Sequence, residues 1–477
     1  MREIACAHVL AAADKPAVRD RAISLDGEHI ASVAPANGAS EQLFALPALA
    51  NAHDHARTAR SSSFGTAGKP LETWLHYLAL LPAVDPYLAT AVSLARSALG
   101  GVGSVMVHYT RVQGLTDLPT EVAEVARAAR DVGVRIGFAV ALRNRNPLIY
   151  GPSEPILAAL PSQARDEIAR RFIRAPMPVR DLIALTDAIA SNASDTFDLQ
   201  YGPAAVQWCT PELLEAVAEA SAATHRRIHM HLLETRYQRQ WADENFPGGI
   251  VCYLDSIGFL SERLTLAHCA WARPDELELL AERGVTISVN TSSNLHLRSG
   301  IAPLPEMIKR GCRVALGLDG ATLDEDDDAL REMRLADLLH GAVGFETKVP
   351  RAAILTAILR NGRRSVTNRL DGGTLAAGAP ADILLIDWKT LDEDRLKPDL
   401  DPLDLLFARA TARHIKELIV AGRSVVRDGR VLGIDLPAMQ DDLMARFRHG
   451  IAQSATFAAA LPELERVVRD HFETPCC

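Results

Sequence analysis

Leu46-Pro47-Ala48-Leu49-Ala50-Asn51-Ala52-His53-Asp54-His55 is an apolar run that closes on two histidines spaced two apart. On a strand, where side chains alternate between faces, both imidazoles leave the same side and come close enough to share one metal ion. Two interior polar residues would satisfy the same spacing. Taken alone, the stretch does not choose between the two.

Three later segments repeat the pattern and favour the metal. Ile228-His229-Met230-His231-Leu232-Leu233-Glu234 leaves an apolar strand with a histidine and, three residues on, a carboxylate. Leu264-Thr265-Leu266-Ala267-His268 ends in histidine, and Arg313-Val314-Ala315-Leu316-Gly317-Leu318-Asp319 ends in aspartate. Each polar group sits at the carboxyl end of a strand. In a parallel barrel those ends converge on one face, where ligands and catalytic groups collect.

The chain has 477 residues, more than a single core usually holds, so one large domain plus a smaller one is expected. A net charge of -9, with no basic cluster interleaved with aromatics, argues against nucleic acid and anionic membranes as partners. Seven cysteines without Cys-x-x-Cys spacing, Cys476 and Cys477 among them, read as reduced thiols. No run reaches the length of a membrane span and the amino terminus lacks a signal-peptide core, which together predict a cytoplasmic protein.

Along the chain, Ala22-Ile23-Ser24-Leu25, Asp26-Gly27 and Glu28-His29-Ile30-Ala31-Ser32-Val33 read as a hairpin. Strand-like Ala381-Asp382-Ile383-Leu384-Leu385-Ile386 and Glu417-Leu418-Ile419-Val420 return late. Both ends are thus expected to build one β-sandwich, from residues 1–45 and 366–432. Between them, residues 46–365 alternate strands with helices such as the one opening at Pro211, and eight such strands close into a (β/α)8 TIM-type barrel of the α/β class. Residues 156–194 read as a helical excursion over the barrel mouth, and 433–477 as a docked amphipathic helical tail.

Taken in order, these residues resemble the amidohydrolase superfamily, in its mononuclear aminohydrolase branch with cytosine and guanine deaminases and triazine hydrolases. The resemblance also covers Leu71-Glu72-Thr73-Trp74-Leu75, Tyr201-Gly202-Pro203, Ser292-Ser293-Asn294-Leu295 and Gly378-Ala379-Pro380-Ala381-Asp382. It implies one divalent metal, zinc in the first place or iron, held by His53, His55, His231 and Asp319 with a water or hydroxide completing the shell. It further implies that Glu234 shuttles a proton to the substrate while Asp319 and His268 orient and deprotonate the water. The expected reaction is hydrolytic deamination of a small amino-substituted nitrogen heterocycle, such as a pterin, purine base, pyrimidine or triazine, by a homodimer.

Several residues carry two readings. His229 is an interior hydrogen-bonded residue or a ligand; His108 and Trp74 contact substrate or pack; Arg143 and Arg145 bind an anionic or carbonyl-bearing substrate or face solvent. Asp324-Glu325-Asp326-Asp327-Asp328 reads as a solvated helix start. No lysine lies between Lys69 and Lys309, so the carboxylated lysine of two-metal relatives has no candidate. Gly202-Pro203 is followed by Ala204-Ala205, where adenosine-type relatives carry a histidine, which weighs against nucleosides. The rivals are hydrolytic loss of chloride or alkylamine from a similar ring, and a non-catalytic barrel that serves as a scaffold.

Overall fold

The fold is that of a computed structural model, which describes residues 2–36, 41–397 and 399–473. Cys476 and Cys477 and the end of the tail lie outside the described residues. The chain opens with β1 (Arg2–Val9), β2 (Val18–Asp26), β3 (His29–Pro35) and β4 (Glu41–Pro47). Eight strands with helices between them come next: β5 (Leu49–Asp54), β6 (Val102–Tyr109), β7 (Arg135–Leu142), β8 (Phe197–Pro203), β9 (Ile228–Leu232), β10 (Leu264–His268), β11 (Thr286–Val289) and β12 (Arg313–Leu316). After a short hairpin of β13 (Ala342–Val343) and β14 (Glu346–Thr347) come β15 (Ile383–Asp387), β16 (Ile415–Val420), β17 (Arg423–Arg427) and β18 (Arg430–Val431).

β5 to β12 pair in parallel and in sequence order. The strands are short and buried along almost their whole length, as parallel strands covered on both faces must be. The ring closes where β12 meets β5: the amide of Asp319 donates to the carbonyl oxygen of His53 at 2.9 Å, and that of Leu318 to Oδ1 of Asn51 at 2.9 Å. The fold is a (β/α)8 TIM-type barrel. Helices start where side chains can cap them: Asp85, Asp117 and Asp328 each accept a backbone amide of the first turn. The helix Pro211–Thr224 begins at its proline and buries Leu213, Leu214 and Val217 against the barrel.

Both chain ends build the second domain, one hydrogen-bonded sheet in the order β18-β17-β16-β15-β4-β1-β2-β3. Period-two alternation splits its strands. Leu43, Ala45, Ile383 and Leu385 enter the small domain's own core, whereas Phe44, Leu46, Leu384 and Ile386 pack into the barrel core. A buried ion network ties the two together: Arg135 at the start of β7 and Arg363 both bind the carboxylate of Asp382. The expected break at residue 366 falls inside the helix Gly362–Thr367, which plugs the barrel floor, with Gln200 Nε2 donating to the Ser365 carbonyl oxygen at 2.9 Å.

The excursion forms three helices, Glu154–Ala159, Ser162–Phe172 and Val179–Ala188. The tail forms two, Leu436–Gln453 and Ala455–Glu473. Phe457, Leu461, Leu464 and Val468 of the last helix share a core with Ile156, Leu160 and Ile168 of the excursion, so the tail braces the wall of the barrel mouth. No helix among the described residues is long and apolar enough to cross a membrane.

Candidate active site

At the carboxyl ends of the strands lies a cavity of about 480 Å³, lined among others by His55, Trp74, Arg143, His231, Glu234, His268 and Asp319. Sharp turns deliver several of these side chains. Leu233, His268, Cys269 and Asp319 all take positive φ, between 47° and 76°, at strand exits. Such backbone is costly for residues with a Cβ, and clusters of it mark sites where the chain is bent for function.

Donor atoms of His53, His55 and His231 lie within 4.8 Å of one another, and so do those of His53, His268 and Asp319. His55 Nε2 is 3.1 Å from Asp319 Oδ1, His53 Nε2 is 3.4 Å from the same oxygen, and His231 Nε2 is 3.3 Å from His55 Nε2. Proton placement decides what this cluster needs. His55 Nδ1 sits 2.7 Å from the carbonyl oxygen of His108 and His231 Nδ1 2.7 Å from that of Ala204. A carbonyl only accepts, so both rings carry their proton on Nδ1 and present a lone pair on Nε2.

Burial also pushes all three imidazoles down in pKa, that of His55 to about 3, so they are neutral near pH 7. The lone pairs of His55 and His231 thus face each other, and that of His55 also faces a carboxylate oxygen, with no proton between them. His53 Nε2 and Asp319 Oδ1 are buried without a hydrogen-bond partner. A buried orphan acceptor is costly, and one divalent cation at this spot satisfies the whole set. The residues fit a metal ion, and nitrogen-rich ligation of this kind suits zinc or iron.

Behind the cluster, His229 Nε2 is 2.7 Å from His53 Nδ1, the rings stacked at 11°. Ser293 Oγ donates to Asp319 Oδ2 at 2.7 Å. His268 Nδ1 lies 2.8 Å from Asn294 Oδ1 and 3.2 Å from Asn290 Nδ2; the shorter contact, to an oxygen that only accepts, favours the proton on Nδ1, and Nε2 is left 3.7 Å from Glu234 Oε2 and 3.8 Å from Asp319 Oδ2. Burial raises the Glu234 carboxyl to about 7, which makes it a group able to hold or release a proton at neutral pH. Gly317 admits no side chain: a Cβ there would lie 2.4 Å from Asn290 Oδ1 and 2.9 Å from the Cβ of His53.

Of the residues expected to meet substrate, Trp74 and Arg143 line the cavity and His108 does not. Trp74 is buried, its Nε1 donating to Ser61 Oγ at 2.9 Å. His108 is fully buried, and its Nε2 lies 3.1 Å from the carbonyl oxygen of Gly202. His229 is interior and hydrogen-bonded. The acidic run is not solvated: Asp324, Asp327 and Asp328 are buried, Asp324 paired with Arg331 at 3.2 Å and Asp328 capping the next helix.

Sequence reasoning passed over the carboxylate of Glu72, which accepts from Thr235 Oγ1 at 2.6 Å and Tyr150 at 2.8 Å and so steadies the loop carrying Glu234. Ser293 and Asn294 stood in a matched motif without a role. No disulfide joins any two of the five described cysteines.

A family model for the amidohydrolase family matches residues 44–425. The chain is 31% identical over 419 residues to an 8-oxoguanine deaminase of Pseudomonas aeruginosa, covering 87% of each protein. It is 34% identical over 243 residues to a 5'-deoxyadenosine deaminase of Methanosarcina barkeri, a match covering 51% of this chain and only 55% of that one. Among solved structures, an atrazine chlorohydrolase from Arthrobacter aurescens complexed with zinc and atraton superposes with a TM-score of 0.77 at 22% identity, over 94% of this chain and all of that one. An adenosine deaminase from Xanthomonas campestris with bound zinc does so with the same score at 20% identity, over 94% and 98%. The structural likenesses speak for the barrel. With the family pattern running through most of the sequence, from the last strand of the small sheet before the barrel to β17 beyond it, the chain belongs to the amidohydrolase family.

Proposed function

We propose that this protein catalyses the hydrolytic deamination of an amino-substituted nitrogen heterocycle, with one divalent ion, zinc before iron, held by His53, His55, His231 and Asp319. The observation that carries the reading is the pair of unprotonated ring nitrogens of His55 and His231 that meet at the Asp319 carboxylate's side of the cavity, His55 Nε2 3.1 Å from Asp319 Oδ1, beside Glu234 and His268. In the reaction, water adds to the ring carbon bearing the amino group, and that carbon leaves as a carbonyl with release of ammonia. The ion supplies Lewis acidity, which lowers the pKa of water to about 7.

The chain's own groups manage the protons. Glu234, poised near neutrality, gives a proton to the ring nitrogen next to the reacting carbon, which turns that carbon electrophilic. His268, fixed by Asn294, has its free Nε2 placed to take a proton from the incoming water between Glu234 and Asp319. Glu234 then takes up the hydroxyl proton released as that carbon becomes a carbonyl and passes it to the departing amine, and the proton on His268 restores the Glu234 carboxyl. The relatives named for deamination support this chemistry, and Ala204 in the cavity wall, where a histidine would bind a nucleoside, supports a base-like ring over a nucleoside.

A cytoplasmic homodimer belongs to the same proposal. The buried thiols of Cys209, Cys269 and Cys312 support the address, and the exposed apolar side chains of Leu338, Val343 and Phe345 support self-association. The test is a panel of aminated heterocycles offered to metal-loaded enzyme. Ammonia release is the expected outcome; chloride or alkylamine from halogenated or alkylated triazines, with no ammonia from any amine, would replace deamination with the rival chemistry.

A further inference from the structure

The cavity is ringed by positive charge that the deamination chemistry does not use. Five arginines line it: Arg57, Arg111, Arg143, Arg171 and Arg174, against the carboxylates of Glu234 and Asp319 alone. They come from separate places, the loops after β5, β6 and β7 and the end of the excursion helix Ser162–Phe172. Many arginines of this protein pair with a carboxylate, as Arg283 does with Asp255 and Arg351 with Asp337. Among the described residues, Arg57, Arg111, Arg143 and Arg174 pair with none, and Arg171 only reaches Glu167 at 3.7 Å.

Their hydrogen bonds explain how the ring is held. Arg111 donates to the carbonyl oxygens of Leu78 and Leu81, Arg171 to that of Ala79 at 3.4 Å, and Arg57 to Thr110 Oγ1 at 2.8 Å while lying over the Trp74 ring. These contacts fix guanidinium groups at the wall without neutralising them. Arg143 differs: open to the cavity, it makes no hydrogen bond among the described residues. Gathering like charges around one concavity destabilises the empty protein and favours an anion inside it. Guanidinium, with its fork of donors, suits carboxylate and phosphate oxygens.

We infer that the substrate carries a carboxylate or phosphate on the part of the molecule remote from the reacting carbon, held by Arg143 with Arg174 and Arg171 at the cavity mouth. This inference names the substrate class for the deamination site and rests on that reading for the position of the ring. The anionic group would also exclude neutral analogues, since they would leave the arginines unpaired.

Calorimetric titration of metal-loaded enzyme with two matched pairs tests it: pterin against pterin carboxylate, and adenosine against adenosine monophosphate. In at least one pair the charged member binds about tenfold or more tightly, as a charged hydrogen bond requires. The pair that shows it identifies the anion. Added salt narrows the difference, Arg143→Gln removes most of it, and Arg143→Lys restores part. Equal binding of charged and neutral members in both pairs, or no binding at all, overturns the anion site. Ammonia assayed in the same samples judges the deamination separately: a charged preference without ammonia keeps the anion site and removes the deaminase reading, while ammonia from neutral members with no charged preference does the reverse.

Discussion

His229 holds His53 from behind: their ring nitrogens approach to 2.7 Å and the rings stack, so a residue one layer deeper than the metal cluster fixes which nitrogen of His53 faces it. Replacing such a partner of a ligating histidine costs about 10–100-fold in metal affinity. His229→Leu should therefore fold, with a metal dissociation constant raised by about that factor. Competition against a chelator of known affinity measures it, and unchanged affinity would separate His53 from the ion.

Glu234→Gln removes the proton carrier and leaves the ligand set in place. Metal content should equal that of the parent, while turnover falls by about 10²–10⁴-fold, the usual contribution of a positioned acid or base. Asp319→Asn should lower metal content and turnover together. Elemental analysis beside an ammonia assay distinguishes the two variants, and a Glu234→Gln enzyme with full turnover would end its proposed role.

His76 gives the protein an acid-sensitive component of stability. Its Nε2 proton goes to the carbonyl oxygen of Leu148 at 2.8 Å, and burial pushes its pKa from 6.5 down to about 4. Between those values the unfolded chain binds a proton that the folded chain refuses, so the contribution is complete above pH 6.5, falls as pH drops, and stops falling below about 4. The full span corresponds to about 3 kcal/mol at most. Urea midpoints of wild type and His76→Gln across that window should converge toward acid pH; parallel curves would contradict the assignment.

Asp382 neutralises two buried guanidinium groups, those of Arg135 and Arg363, and also accepts the amide of Ala421 at 2.8 Å. Asp382→Ala strands both charges at the junction of barrel and sheet, a loss of about 3–5 kcal/mol. Equilibrium urea unfolding reads this directly. A loss below about 1 kcal/mol would mean that the network is solvated, as surface pairs are.

Much of this architecture is written in local pattern. Each barrel strand is a short, mostly apolar run, because both faces of a parallel strand are buried, so the strands from β5 to β12 could be placed to within a few residues of their ends. His53, His55, His231, His268, Glu234 and Asp319 were legible as polar groups at or just past the ends of such runs. What escaped depends on distance in sequence. His108 also ends a strand-like run, but its Nε2 meets the carbonyl oxygen of Gly202 on β8, a partner 94 residues away in sequence. The acidic run looked solvated because charge density suggests water; the fold instead spends Asp328 on a helix cap and Asp324 on Arg331. The arginine ring draws on four chain segments and leaves no periodic trace.

The hydrogen bond from Asp319 to His53 joins the first stave of the barrel to the last. While the protein is being made, His53 and His55 leave the ribosome long before that aspartate exists, and a nascent chain has no finished cradle to offer an ion. Metal capture must then wait until synthesis has passed β12, which makes the loaded protein a report on its own completed folding.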